Sequence, residues 1–202
     1  MELIPYNSKF FLDNSEKLVV NTTKSVSTSA AITYATTYAT NPNTANYKNF
    51  GNRGDCTNFV SQILEASGVS QVSSTSVYSG WWHKKNTNSL GIVTHTHSQS
   101  WTVADVFARY MGIGYTTSSH TSFSENIRKG DYIAADFDSD GDWDHMGFVT
   151  DYNARAACYS TGDFNDYKVA QHTNNYHRWT SSSNNNWDTI GPTGGKYARV
   201  RR

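Results

Sequence analysis

Of the two cysteines in the chain, Cys56 and Cys158, the first stands where a thiol could serve as a nucleophile. It follows Gly51 and Gly54 and opens a segment in which Cys56, Phe59, Val60 and Ile63 share one face at helical spacing. A thiol at a helix N-terminus faces unpaired backbone N–H groups and the positive end of the helix dipole. Both stabilise the thiolate, and the same N–H groups can receive the oxyanion of a tetrahedral intermediate. The two glycines would let a substrate backbone approach closely. Two other readings stay open: a cysteine that merely packs, and a Cys56–Cys158 disulfide, which would block this chemistry.

A thiolate nucleophile needs a general base and a group that orients that base. Of the seven histidines, His145 begins an apolar segment directly after an acidic turn. His172 lies in the next expected strand, where antiparallel pairing can bring the two side chains together. Asn174 follows two positions later on the same face. His83 and His120 read as surface residues. His95 and His97 form an H-x-H pair that could bind a metal if it lay in a strand, but the chain offers no evident third ligand.

The acidic turn itself, Asp136-Phe137-Asp138-Ser139-Asp140-Gly141-Asp142-Trp143-Asp144, fits the start of a D-x-D-x-D-G calcium loop. Asp136, Asp138, Asp140, Asp142 and Asp144 would repel one another without a cation or full solvation. The closing bidentate Glu is missing, because Gly147 holds that position. A structural Ca²⁺ here would fix the place of His145 without joining the chemistry, for which no cofactor is expected. Asp144, adjacent to His145, would point to the opposite strand face and is a poor candidate for orienting that ring.

The elements that must carry these groups follow from local pattern. Ala30–Thr40 repeats Ala and Tyr at helical spacing until Asn41-Pro42-Asn43 stops it. A second helix runs from Cys56 to Ser67, with Gly68 as its C′ residue. Residues 70–99, rich in Ser, Thr and Asn, read as a long loop, and Trp101–Met111 as a third helix. Strands are expected over Gly130–Ala135, Met146–Asp151, Tyr167–Thr173 and Tyr197–Val200. Helices first and antiparallel strands afterwards predict an α+β domain over residues 26–202, preceded by an arm or leader at 1–25.

Composition narrows the function classes. The 202 residues carry a formal net charge of zero and 17% charged residues, so no basic field attracts nucleic acid or anionic lipid. No run approaches the roughly 20 apolar residues of a membrane span. The 14% aromatic share supplies core area that the low apolar fraction lacks. A Ser/Thr/Asn-rich polar surface points to an extracellular monomer, and the first twenty residues lack the uninterrupted apolar stretch of a signal peptide.

The segment from Tyr34-Ala35 through Asn41-Pro42-Asn43 to Asp55-Cys56-Thr57-Asn58-Phe59-Val60-Ser61-Gln62 resembles the putative amidase domain of Gram-positive secreted proteins. Ser100-Trp101-Thr102, Lys129-Gly130-Asp131, and Asp144-His145 with Gly147-Phe148-Val149 extend the resemblance in the same order. It implies a papain-like fold related to the CHAP amidases, with Cys56 as nucleophile and His145 as base. His172 then takes the third role, with Asn174 as alternative or fourth member. The implied substrate is a peptidoglycan peptide, met by a secreted or wall-associated enzyme or by a phage lysin. Transamidation uses the same Cys–His pair, and a non-catalytic wall-binding domain is the alternative of another class. Trp81, Trp82 and Trp101 could line a sugar or peptide groove, or be buried.

Overall fold

The computed structural model describes residues 26–159 and 162–201, so the arm expected at 1–25 lies outside the described residues. Helix α1, Thr28–Tyr38, starts where Ser27 accepts a hydrogen bond from the Ala30 N–H at 3.1 Å. Helix α2, Cys56–Ala66, is buried at every position from Cys56 to Leu64. It is therefore the central element rather than an amphipathic cover, and its polar side chains must find partners inside. Tyr34 donates to Gln62 Oε1 at 2.8 Å, Trp101 Nε1 to Asn58 Oδ1 at 2.9 Å, and Trp81 Nε1 to Ser61 Oγ at 3.0 Å. These bonds help hold Trp81 and Trp101 in the core; Trp82, also buried, donates Nε1 to the Ser79 carbonyl at 3.1 Å.

Residues 70–99 are not one long loop. Strands β1, His83–Thr87, and β2, Val93–His97, pair antiparallel as a two-stranded ribbon. Their composition, HKKNT against VTHTH, lacks an alternating apolar face, which removes the usual strand signal. The third helix is broken: α3, Gln99–Thr102, and α4, Ala104–Met111, meet at Val103, which adopts an extended conformation. Strand β3, Ile113–Thr117, follows, and then α5, His120–Asn126, capped by Ser119 in a stretch that reads as polar loop. His120 is buried, not a surface residue. It packs edge-on to Phe164 and bonds the Tyr167 hydroxyl at 3.0 Å, and burial lowers its pKa to about 4.

The remaining strands are β4, Tyr132–Asp136; β5, His145–Tyr159; β6, Gly162–Gln171; β7, Tyr176–Trp179; and β8, Lys196–Val200. They form a six-stranded sheet in the order β3-β8-β4-β5-β6-β7, with every neighbouring pair antiparallel. Two antiparallel sheets and a few helices make this an α+β fold, as the order of sequence patterns predicts.

The period-two alternation sends the sheet's side chains to two cores. Ala134, Met146, Phe148 and Ala170 pack with Phe59 and Val60 of α2. Ile133, Ala135, Val149 and Val169 pack on the other face with Phe123 of α5 and with Trp187 and Ile190. Among the described residues no helix is long and apolar enough to cross a membrane.

Candidate active site

The loop before α2 is built to present Cys56. Gly51 and Gly54 both have positive φ, 58° and 103°, and a Cβ on either would meet nothing within 4 Å. Glycine is needed there for backbone conformation, not for close approach. Asp55 stands at the N-cap position but does not cap through its side chain. Its buried carboxylate accepts from the Phe50 N–H at 3.0 Å, from Asn58 Nδ2 at 2.8 Å and from His172 Nδ1 at 2.6 Å. The Asp55 N–H donates to Thr173 Oγ1 at 2.8 Å. One residue thus ties the loop, the first turn of α2 and the β6–β7 turn together.

Cys56 carries a free thiol that is 6% exposed. Because that thiol is free, it takes no part in a Cys56–Cys158 disulfide. His145 is the first residue of β5, opposite Ala135 of β4. The register brings its imidazole to the thiol, and the two groups perturb one another. Burial pushes the Cys56 pKa up, but the interaction with His145, helped by Thr57 and the Met146 backbone, outweighs it and the net shift is downward. For His145, burial pushes the pKa down, and Cys56, then Gln171 and Asp144, reverse this to a net upward shift. Opposite shifts of this kind favour a thiolate–imidazolium pair.

The residue beside the imidazole on the neighbouring strand is Gln171. Its Oε1 accepts from Trp187 Nε1 at 2.9 Å, and the Trp187 ring lies 6.0 Å from that of His145. Gly147 makes room for this ring, because a Cβ there would come within 2.9 Å of Trp187 Cζ2. His145 Nε2 is buried and lacks a hydrogen-bond partner of ordinary geometry.

His172 sits elsewhere. Its ring is 1% exposed and stacks on Phe59 with centroids 3.8 Å apart, and Nε2 meets the Tyr38 carbonyl at 2.9 Å. Both nitrogens therefore face acceptors, and the side chain is turned to Asp55 rather than to His145. The reason is register: Phe148 pairs with Ala170, so His172 follows Ala170 onto the α2 face while Gln171 stays on the Trp187 face. β6 ends at Gln171, and Thr173 and Asn174 both have positive φ, near 60°, in the hairpin turn that follows. Strand alternation consequently does not extend to Asn174, which lines the cleft instead.

That cleft, about 980 Å³, opens beside His145. Its wall includes Asn49, Gln171, Asn174, Asn185, Tyr176 and Trp187, a set of amides and aromatic rings. Cys56 is not among the lining residues and reaches the cleft's edge only through its partner His145. Neither Gln171 nor Trp187 is marked by sequence pattern, since a lone Gln beside a His and a Trp in an Asn-rich run carry no periodic signal.

The acidic turn curls on itself. Asp136 accepts from the Ser139 and Gly141 N–H groups, Asp138 from Asp140, Asp140 from Asp142, and Asp144 from Phe137. Of the five aspartates expected to converge, only Asp136, Asp138 and Asp144 do so, each offering one oxygen within 4.8 Å of the others. Partial burial and the neighbouring aspartates raise the Asp144 pKa. Asp142 faces Arg109 at 3.5 Å.

A family described as "Putative amidase domain" matches residues 25–199. Uncharacterized protein YhbB of Bacillus subtilis (strain 168) is 33% identical over 121 residues, covering 59% of this chain and 35% of the relative. Uncharacterized protein YjcM of the same strain is 32% identical over 159 residues, covering 72% of this chain and 33% of the relative. The chain thus spans about a third of the length of these curated relatives. No solved structure gives a significant match.

Proposed function

We propose, on the premise that this chain belongs to the putative amidase domain family, that it hydrolyses amide bonds through Cys56 and His145. The observation that carries the reading is the mutual shift of this pair, a lowered thiol and a raised imidazole at the start of a central helix and beside a polar cleft. In this mechanism the Cys56 thiolate attacks the substrate carbonyl, and the carbonyl π electrons move to oxygen. Backbone N–H groups of the first turn of α2, which have no carbonyl partner within the helix, hold that oxyanion. When the intermediate collapses, the C–N bond breaks and the His145 imidazolium protonates the leaving amine. His145 then takes a proton from water, whose oxygen attacks the thioester; collapse of this second intermediate breaks the C–S bond, releasing the carboxylic acid and restoring the thiolate–imidazolium pair.

Gln171 is the positioning group for the imidazole in this reading, itself held by Trp187. Asp55 and His172 place the helix start that carries the thiol. A nucleophile on a helix and a base on an antiparallel sheet are the arrangement of papain-like enzymes, which supports that fold assignment. Amide-rich walls with the half-exposed Phe137 ring among them suit a substrate with alternating peptide groups and hydroxyls, and we take cell-wall peptide outside the cell as that substrate. We also assign the converging carboxylates of Asp136, Asp138 and Asp144 a structural Ca²⁺, held beside the base and outside the chemistry.

The test is amine release from peptidoglycan fragments by the wild-type chain and by Cys56→Ala, with intact-mass detection of a thioester adduct on the wild type. Release and adduct confined to the wild type, at equal thermal stability, are expected. Equal release from Cys56→Ala refutes the mechanism. Tight fragment binding without release in either protein would favour a wall-binding module.

A further inference from the structure

The β1–β2 ribbon brings together three histidines that are far from regular in sequence. His83 of β1 is the cross-strand partner of His97 of β2, and His95 lies two residues from His97 on the same strand face. All three are partly buried. The face they share is turned toward the domain, where His83 packs on Tyr47 and Trp101, and His97 meets Phe50 edge-on. His83 Nε2 and His95 Nδ1 are 2.9 Å apart. From this juxtaposition we infer that His83, His95 and His97 form a transition-metal site, with His83 Nε2 and His95 Nδ1 as adjacent ligands and His97 as the third.

The distance selects the kind of metal. With metal–nitrogen bonds of about 2.0–2.1 Å, nitrogens 2.9 Å apart subtend roughly 90°. That is the angle between neighbouring ligands in a tetragonal or octahedral ion such as Cu²⁺ or Ni²⁺. A tetrahedral Zn²⁺ would require the two nitrogens to separate by about 0.4 Å, given the same bond lengths. Without a metal the two rings share one hydrogen bond, and the ion takes the place of the shared proton.

His97 must rotate to complete the set: its Nδ1 here faces the Ser98 carbonyl at 3.3 Å and the Thr102 hydroxyl at 3.4 Å, and the three rings do not yet converge within 4.8 Å. The remaining positions on the ion are open to water.

Burial, followed by the charges of His95 and His97, lowers the His83 pKa to about 4. Burial and the ammonium groups of Lys85 and Lys48 lower that of His95, and burial together with Lys48 lowers that of His97. Those two ammonium groups repel any cation, so only an ion with strong imidazole affinity can occupy the site, and Cu²⁺ stands highest in the divalent series. Phe50, on which His97 rests, donates its N–H to Asp55, so the site lies close to the loop that presents Cys56.

The experiment is calorimetric titration of the whole chain with Cu²⁺ and with Ni²⁺ alone, in a Cys56→Ala background that removes the thiol as a competing ligand. Electron paramagnetic resonance of the copper form accompanies it. One equivalent is expected to bind, with nitrogen hyperfine structure, and His95→Ala should weaken binding roughly tenfold or more. His83→Ala serves as a second variant, and melting curves confirm that both remain folded. Binding that is equally tight in His95→Ala and His83→Ala, or that shows only oxygen ligation as the acidic loop would give, overturns the inference. So does the absence of a binding isotherm.

Discussion

Replacing His172 with alanine separates two roles that its position in the chain leaves mixed: orienting the base, or holding the nucleophile's helix. The side chain is 1% exposed, bonds Asp55 at 2.6 Å and the Tyr38 carbonyl at 2.9 Å, and stacks on Phe59. The substitution leaves Asp55 with the Phe50 N–H and Asn58 Nδ2 only, and leaves Tyr38 O without this donor. Leaving a buried acceptor without its hydrogen bond costs about 1–3 kcal/mol, more where the group is charged, a substantial part of the ~5–15 kcal/mol that holds a domain folded. Urea unfolding followed by tryptophan fluorescence should show that loss.

The second readout is the pH profile of Cys56 alkylation by iodoacetamide, measured where the variant is still folded. His172→Ala should leave the reactive limb below the ordinary thiol range of about 8.5, because Cys56 and His145 remain in contact. Gln171→Ala should behave in the opposite way. It removes a group that favours the imidazolium, so the reactive limb moves up. A stability loss under about 1 kcal/mol for His172→Ala, combined with an alkylation profile displaced as far as that of Gln171→Ala, would refute this assignment of roles.

On the proposed mechanism, the thiolate–imidazolium pair of the wild-type protein is expected between the lowered thiol pKa and the raised imidazole pKa. Falling pH ends it by protonating Cys56, and rising pH ends it by deprotonating His145. His145→Ala removes the main downward influence and leaves burial, so Cys56 should titrate above the ordinary thiol value of about 8.5; a profile still below that value would show that the helix start alone activates the thiol. Calorimetric titration with Ca²⁺ should show binding in the millimolar range or tighter that Asp136→Asn abolishes, and a flat titration of the wild type removes the calcium assignment.

Much of this architecture is legible along the chain because it is local. Ala and Tyr at helical spacing before Pro42 give α1, the apolar stripe from Cys56 to Ile63 gives α2, and Gly68 ends it with φ of 101°. The run after His145 marks β5, and the acidic turn before it is visible as a turn. The β1–β2 ribbon is hidden because its faces are polar, and α5 because Ser and Thr are weak helix signals outside a cap. His120 looks like a surface residue until Phe164 and Tyr167 close over it from another strand.

The residues themselves determined that a thiol would stand at a helix start and an imidazole at a strand start, since propensity, glycine conformation and apolar period act over a few neighbours. Tertiary structure alone decided which partner each group took. His172 pairs with Asp55 across 117 positions. Gln171 takes the place beside His145 because the β5–β6 register puts it with Val169 on the Trp187 face, while His172 falls with Ala170 on the α2 face. His83 meets His95 only through strand register. Such choices depend on where strands end and how sheets stack, and packing between distant segments sets those ends, which no local pattern encodes.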